Sequence, residues 1–244
     1  MDRLIYLSMS GAKATMQRQE LLAHNLANVS TTGFRAEMAA FRAVPVRGDG
    51  ASTRAYALES TIGYDERSGA VQSTGRDLDV AVKGRAWLAV QAVDGTEAYT
   101  RAGALEIDAE GQLVTAGGRP VLGDGGPISV PSAASVEIAA DGTVNARIGN
   151  ERPQAVGRLK LVTPEGALQR GDDGLFRSGD GGDLEADPAA RLQSGALEGS
   201  NVNAVETMVA MIAAARQFEQ QMKSLQTAEQ REQSAARLLS PVAM

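Results

Sequence analysis

Cysteine is absent from this chain of 244 residues. That excludes disulfides, thiolate metal sites and thiol nucleophiles together. It suits the cytoplasm, or a compartment where stray disulfides would do harm. Histidine is nearly as scarce: His24 stands alone, so no second imidazole can share a metal and no triad can be built away from it. Aromatics make up 4% with a single tryptophan, thin for a large enzyme core but sufficient for elongated modules. No run of about 18 apolar residues exists, so no membrane insertion is expected. Basic clusters are missing too. With a net charge of −6 and a pI near 5.0, nucleic acid and anionic membrane surfaces are poor partners. The start of the chain lacks the pattern of a cleaved leader, because Asp2 and Arg3 precede an apolar run broken by Ser8 and Ser10. Export would need a route that cleaves nothing.

Glycine and proline are missing only locally, and this divides the chain. Residues 200–240 contain neither, and residues 1–32 contain only Gly11, whereas 77–194 hold 18 of the 27 glycines and six of the eight prolines. Helix interiors exclude both and turns require them. The ends therefore predict helices and the middle predicts strands. The hydrophobic share of 43% rules out wholesale disorder.

Residues 1–28 carry one apolar stripe through Leu4, Leu7, Gly11, Ala14, Leu21 and Leu22, and another through Ile5, Met9, Ala12, Met16 and Leu26. A helix apolar on more than one side needs several neighbours. Ser30-Thr31-Thr32-Gly33 is a stop signal. Residues 34–76 are weakly patterned and read as an extended connector. From Asp77 the period becomes two, through Leu78, Val80 and Val82, then Leu88 and Val90, Leu105 and Ile107, Ile128 and Val130, Val136 and Ile138, Leu159 and Leu161. Asp94-Gly95, Glu110-Gly111, Gly117-Gly118, Asp141-Gly142 and Asp173-Gly174 are turn dipeptides between them. Such spacing indicates an antiparallel sandwich or barrel. Near the C-terminus, Asn203 with Glu206 resembles a capping box. Met208, Met211, Ala215, Phe218, Met222 and Leu225 follow as a heptad seam on one long helix. Glu219 and Lys223 form a favourable pair one turn apart.

The fold class expected is α+β, with long N- and C-terminal helices pairing as a coiled-coil-like layer and, between them in sequence, a central antiparallel all-β domain. Its segments are an N-terminal helix at 1–33, the connector at 34–76, the β-rich domain at 77–196 and a C-terminal helix at 197–244.

No chemistry rises above this frame. Asp77 and Asp79 share a strand face, but no motif makes them a catalytic pair, and Asp172/Asp173 read as turn residues. The acidic stretch 180–187 lacks EF-hand spacing. Gly117-Gly118 and Gly125-Gly126 fit neither phosphate-cradling pattern. Arg47-Gly48-Asp49 and Arg170-Gly171-Asp172 are adhesion tripeptides in spelling only, and Asn28-Val29-Ser30 is better explained by helix capping than glycosylation. The helix-borne Met208, Met211 and Met222 suit a promiscuous groove or, as the preferred reading, a seam facing non-identical neighbours. No catalytic residue, cofactor, metal or small-molecule substrate is expected.

The stretch AHNLANVSTTGF (residues 23–34) resembles the N-terminal signature of bacterial flagellar rod and hook proteins, usually ANNLAN followed by T-x-G-F, with His24 at the first asparagine. DLDVAVKGRAWLAV (77–90), YTRAGALEIDAEGQLVTAGGRPVLG (99–123) and LEGSNVNAVETMVAMIAAARQFEQQMK (197–223) resemble the same family. Within it, RAVPV (42–46), WLAVQ (87–91) and the modest length favour a proximal rod subunit over a distal rod or hook-type one. The resemblance implies a structural subunit of the basal-body rod that crosses the periplasm. Such a subunit is exported through the flagellar type III apparatus and carries torque through helices packed against copies of itself and neighbouring rod proteins. The residues it implies for the assembly interface are Leu4, Leu7, Leu21, Asn25, Leu26, Asn28, Gly33, Phe34, Val205, Met208, Met211, Ile212, Phe218, Met222 and Leu225. A periplasmic hydrolase with rod-like ends is the competing class, and it would need catalytic groups within 77–194.

Overall fold

The computed structural model describes residues 2–45, 55–131 and 134–239. It mixes helix and strand: two helices and many short antiparallel sheets, divided into two compact units.

The helical unit comprises Met1–Ala27, Glu37–Tyr64 and Val202–Met244. Helix α1 (Asp2–Ala27) and helix α2 (Ala204–Leu239) run about 39 Å and 54 Å at 1.5 Å per residue. They pack against each other. Gly11 lies within 3.2 Å of Gln221, measured from the Cβ position a larger residue would fill. Gly11 is four to five turns before the end of α1 and Gln221 is about as far past the start of α2, the match an antiparallel pair requires. Asn203 caps α2: its Oδ1 accepts the backbone N–H groups of Val205 and Glu206 at 3.1 and 3.3 Å.

Residues 34–76, expected as a connector, contain a long hairpin. Strands β1 (Glu37–Pro45) and β2 (Ala55–Tyr64) pair antiparallel from Glu37↔Tyr64 to Pro45↔Ala55, with a register shift between Ala40 and Phe41. The signal was missed because no described side chain of β1 is more than half-buried. Met38, Ala40, Arg42 and Ala43 are all exposed, so no alternation is written into it. The tripeptide at 47–49 lies outside the described residues.

The β-unit comprises Asn28–Ala36 and Asp65–Asn201. A five-stranded sheet orders Leu161–Val162, Trp87–Gln91, Glu97–Thr100, Phe176–Arg177 and Gln169–Arg170. A three-stranded sheet joins Ala134–Ile138, Thr143–Ile148 and Gln154–Arg158. Short pairs complete it, among them Val80–Val82 with Leu192–Ser194 and Val71–Ser73 with Ala196–Glu198. All strand pairs are antiparallel, as the period of two and the regular turns predict. Val80, Leu88, Val90, Leu105, Val136, Ile138, Leu159 and Leu161 from the alternating sets all enter one core. Ile107 instead stays exposed. Gly142 turns with φ of 88° while Asp141 Oδ1 takes the Thr143 N–H at 3.0 Å, as an Asp-Gly hairpin demands.

Candidate assembly surface and buried charge cluster

The expected seam on α2 separates into two faces. Thr207, Met211, Ala214, Phe218, Gln221, Leu225 and Ala228 follow 4-3 spacing, and each is buried or half-buried on the side that meets α1. Val205, Met208, Ile212, Ala215 and Met222 form a second stripe, offset by one to two positions. In that stripe Val205 is 71% exposed, Ile212 56% and Met208 49%, and Val209 beside them is 62% exposed. The sequence reading merged these faces because a 3-4 pattern accepts members of both. On α1 the small residues Ser8, Ala12 and Thr15 are buried, whereas Met9 and Met16 stand in solvent one heptad apart. Small residues of α1 meet Met211, Phe218 and Leu225 of α2, while Met9, Met16, Val205, Met208, Val209 and Ile212 stand in solvent. Moving a side chain of this size from water to full burial gains roughly 1.5–3 kcal/mol, so the outer stripe is a standing drive for association.

The other expected interface residues are spread over both units. Leu4 and Leu7 lie on α1, but their side chains fall outside the described residues. Leu21 and Leu26 are half-buried. Asn25 is buried, and its side-chain amide donates to Glu37 O at 2.9 Å and accepts from Glu37 N–H at 2.8 Å, mimicking a strand neighbour for β1. His24 Nδ1 lies 3.1 Å from Glu37 Oε2. Asn28, Gly33 and Phe34 belong to the β-unit, with Asn28 Oδ1 accepting the Thr31 hydroxyl at 3.1 Å.

Gly33 and Phe34 sit there for steric reasons. Gly33 has φ of 69°, and a Cβ on it would lie 2.2 Å from the Arg101 carbonyl carbon, so no side chain fits. Its N–H donates to Glu198 O at 2.7 Å. Phe34 is buried beneath Arg170, whose guanidinium carbon is 4.6 Å from the ring centre.

Beside this turn lies a cluster that the sequence reading missed. Arg35, Arg101 and Glu198 are each at most 2% exposed. Glu198 takes Arg35 Nη2 on Oε1 at 2.8 Å and Arg101 Nε and Nη2 on Oε2 at 2.8 and 2.6 Å. Two cations share one anion, so the surplus charge is met by carbonyl oxygens: Arg101 donates to Val82, Gly84 and Ala86, and Arg35 donates to Arg67. The Gly69 N–H completes Oε1 at 2.9 Å. Burial pulls the Arg101 guanidinium below its ordinary pKa, and the Glu198 carboxylate opposes that pull. Asn201 closes the knot by accepting the Ala36 N–H at 2.7 Å and donating to Asp65 O and Arg67 O at 2.9 and 2.8 Å. Charges so rarely appear in cores that their spacing in sequence gives no warning.

The remaining acids do structural work. Asp79 is buried and accepts the Thr74 hydroxyl at 2.7 Å while Asp77 is exposed, so the two form no catalytic pair. Asp173 pairs with Arg177 at 2.8 Å. No group of metal-binding side chains, and no helix long and apolar enough to cross a membrane, occurs among the described residues.

A β-unit locked onto the segments that follow α1 and precede α2, with helices that keep their apolar stripe outward, is the make-up of a structural subunit built for assembly. Comparison with known proteins gives the particular case. Residues 5–35 match the family model "Flagella basal body rod protein", 81–146 match "Flagellar hook protein FlgE/F/G D1 domain", and 193–238 match "Flagellar basal body rod FlgEFG protein C-terminal". The chain is 49% identical to the flagellar basal-body rod protein FlgF of Salmonella typhimurium and 48% identical to that of Escherichia coli, each over 98% of this chain and 99% of the relative. It is 32% identical to FlgG of Bacillus subtilis, over 94% of this chain and 96% of that one. The chain belongs to the FlgF family of flagellar basal-body rod proteins.

Proposed function

We propose that the chain is a structural subunit of the proximal rod of the flagellar basal body. It assembles helically through its terminal helices, with copies of itself and with neighbouring rod proteins, and it carries motor torque. The observation that carries this reading is the outer apolar stripe of α2, which the chain's own packing leaves in water. The 49% and 48% identity to the FlgF proteins of Salmonella typhimurium and Escherichia coli, against 32% to FlgG of Bacillus subtilis, supports the proximal position against a distal or hook-type one.

In this reading the α1–α2 pair and its counterparts in adjacent subunits form a coiled-coil-like layer around the rod axis. No bond is made or broken; the work is mechanical. Torque passes along helix contacts whose stiffness comes from the small-residue face between α1 and α2. Export through the flagellar type III apparatus fits a chain without cysteine, which has no disulfide to form or misform on the way. The rod then crosses the periplasm with this subunit near its base.

Deleting the gene and imaging isolated basal bodies by electron microscopy tests the assignment. The expected outcome is loss of swimming with a rod that stops beyond its base. A complete rod and hook in a swimming deletion strain would sink it.

A further inference from the structure

All eight methionines of the chain fall in the helical unit and none in the β-unit. Their placement within that unit is also uneven. Met9 and Met16 lie one heptad apart on α1, Met208 and Met222 two heptads apart on α2, and all four are exposed. The face between α1 and α2 is built instead from Ser8, Gly11, Ala12, Thr15, Ala214 and Gln221, with Met211 its half-buried methionine. The chain has no cysteine, so these thioethers are its only oxidisable sulfur.

A thioether takes one oxygen atom from a peroxide: an S–O bond forms as the O–O bond breaks, sulfur gives up two electrons, and the peroxide leaves as water. The product is a polar, chiral sulfoxide that no longer fits an apolar contact. We infer that the docking face of the helical unit is a peroxide-sensitive modification site. Oxidation of Met9, Met16, Met208 and Met222 blocks assembly of the free subunit, and assembly shields the same sulfurs. The inference rests on the assembly reading above. Its physical content is a separation of roles: the sulfurs sit where a partner docks and are nearly absent from the face that holds the two helices together. Hydrogen peroxide therefore disables docking while leaving the fold of the chain intact.

The test uses the full chain, alone and mixed with the neighbouring rod subunits of the same bacterium. Each sample is sedimented before and after hydrogen peroxide treatment, and each methionine is read by peptide mass spectrometry. In the free subunit Met9, Met16, Met208 and Met222 gain oxygen ahead of Met211, as does the exposed Met38 of β1, which the leucine variant keeps. The treated subunit no longer sediments with its partners, and the fluorescence of Trp87 in the β-unit is unchanged. The variant Met9→Leu/Met16→Leu/Met208→Leu/Met222→Leu, which keeps side-chain volume, assembles with or without peroxide. Oxidised wild-type chain that assembles as well as untreated chain, or a leucine variant equally sensitive to peroxide, would overturn the inference. An untreated wild-type chain that fails to assemble strikes instead at the assembly reading itself.

Discussion

The two units handle the same kind of residue in opposite ways. The β-unit takes nearly every large apolar side chain of its alternating strands into one core, and it buries even an Arg-Glu-Arg cluster. The helical unit covers small and polar residues and leaves Val205, Met208, Val209 and Ile212 in water. A domain that completes its own core is stable by itself. A pair of helices that does not is waiting for its partners, and most helical stability in proteins comes from packing of an apolar face rather than from propensity. The contrast is what the proposed assembly requires: one unit that completes its own core, and another that keeps apolar surface in water for a neighbour to cover.

The sharpest way to break the contrast is to charge the outer stripe. Val209→Asp with Ile212→Asp places two carboxylates where a neighbour would dock, and burying an unpaired charge is prohibitive. The double variant is expected to abolish assembly and swimming while the melting temperature of the β-unit stays within experimental error. Because both positions are already exposed, the free chain bears little of the cost. A motile strain carrying both changes would show that α2 docks through another face.

The next effect acts on the other side of the comparison. Glu198→Ala removes the only anion between Arg35 and Arg101 and leaves two buried guanidinium groups facing each other. Breaking a buried ion pair from one side costs about 3–5 kcal/mol, a large part of a domain's stability. Denaturant unfolding followed by Trp87 fluorescence should show a loss of that size, and Glu198→Gln should lose nearly as much, since the amide keeps the shape without the charge. A loss under about 1 kcal/mol would mean that the carbonyl oxygens alone satisfy both cations.

What could be read from the sequence follows the same division. The strands at Leu88 and Val90 or Leu159 and Leu161 declared themselves because their branched apolar residues recur at every second position and enter one core, although Trp87, Ala89 and Val162 on the other face are buried as well. The hairpin Glu37–Tyr64 did not, because the described side chains of β1 are at most half-buried and no strong apolar alternation marks it. The helix α2 was legible from the absence of glycine and proline. Its two apolar faces were not separable, since the spacing of Met208, Met211, Ala215, Phe218, Met222 and Leu225 satisfies either until the position of α1 is known. The charge cluster was invisible for a different reason. Arg35, Arg101 and Glu198 are far apart in sequence, and nothing local marks a charged residue that will be buried. The quoted family stretches contain or border each of the three, so the signature around Gly33, the one around Tyr99 and the one around Leu197 meet at a single physical object.

The smallest expected effect concerns acid. Five aspartates of the β-unit have carboxyls held below the usual range: Asp65 by hydrogen bonds from Arg67, Asp173 by those from Arg177, and Asp94, Asp141 and Asp187 by Thr96, Thr143 and Thr163. A group whose folded pKa lies below its unfolded value releases its proton more readily in the fold. Its contribution is fully present above the unfolded value of about 3.9 and is lost as pH falls through the folded one. The melting temperature of the β-unit should thus hold between neutral pH and about 4.5 and drop below about 4. Asp173→Asn isolates one member: it keeps an acceptor for the Leu175 N–H, which Asp173 Oδ1 takes at 3.1 Å, and deletes the pair with Arg177. As the pair is partly solvated, it should cost less than about 1 kcal/mol at neutral pH. The variant should also lose less than the wild type on acidification. An acid limb as steep in Asp173→Asn as in the wild type would assign the acid sensitivity to the other four carboxylates.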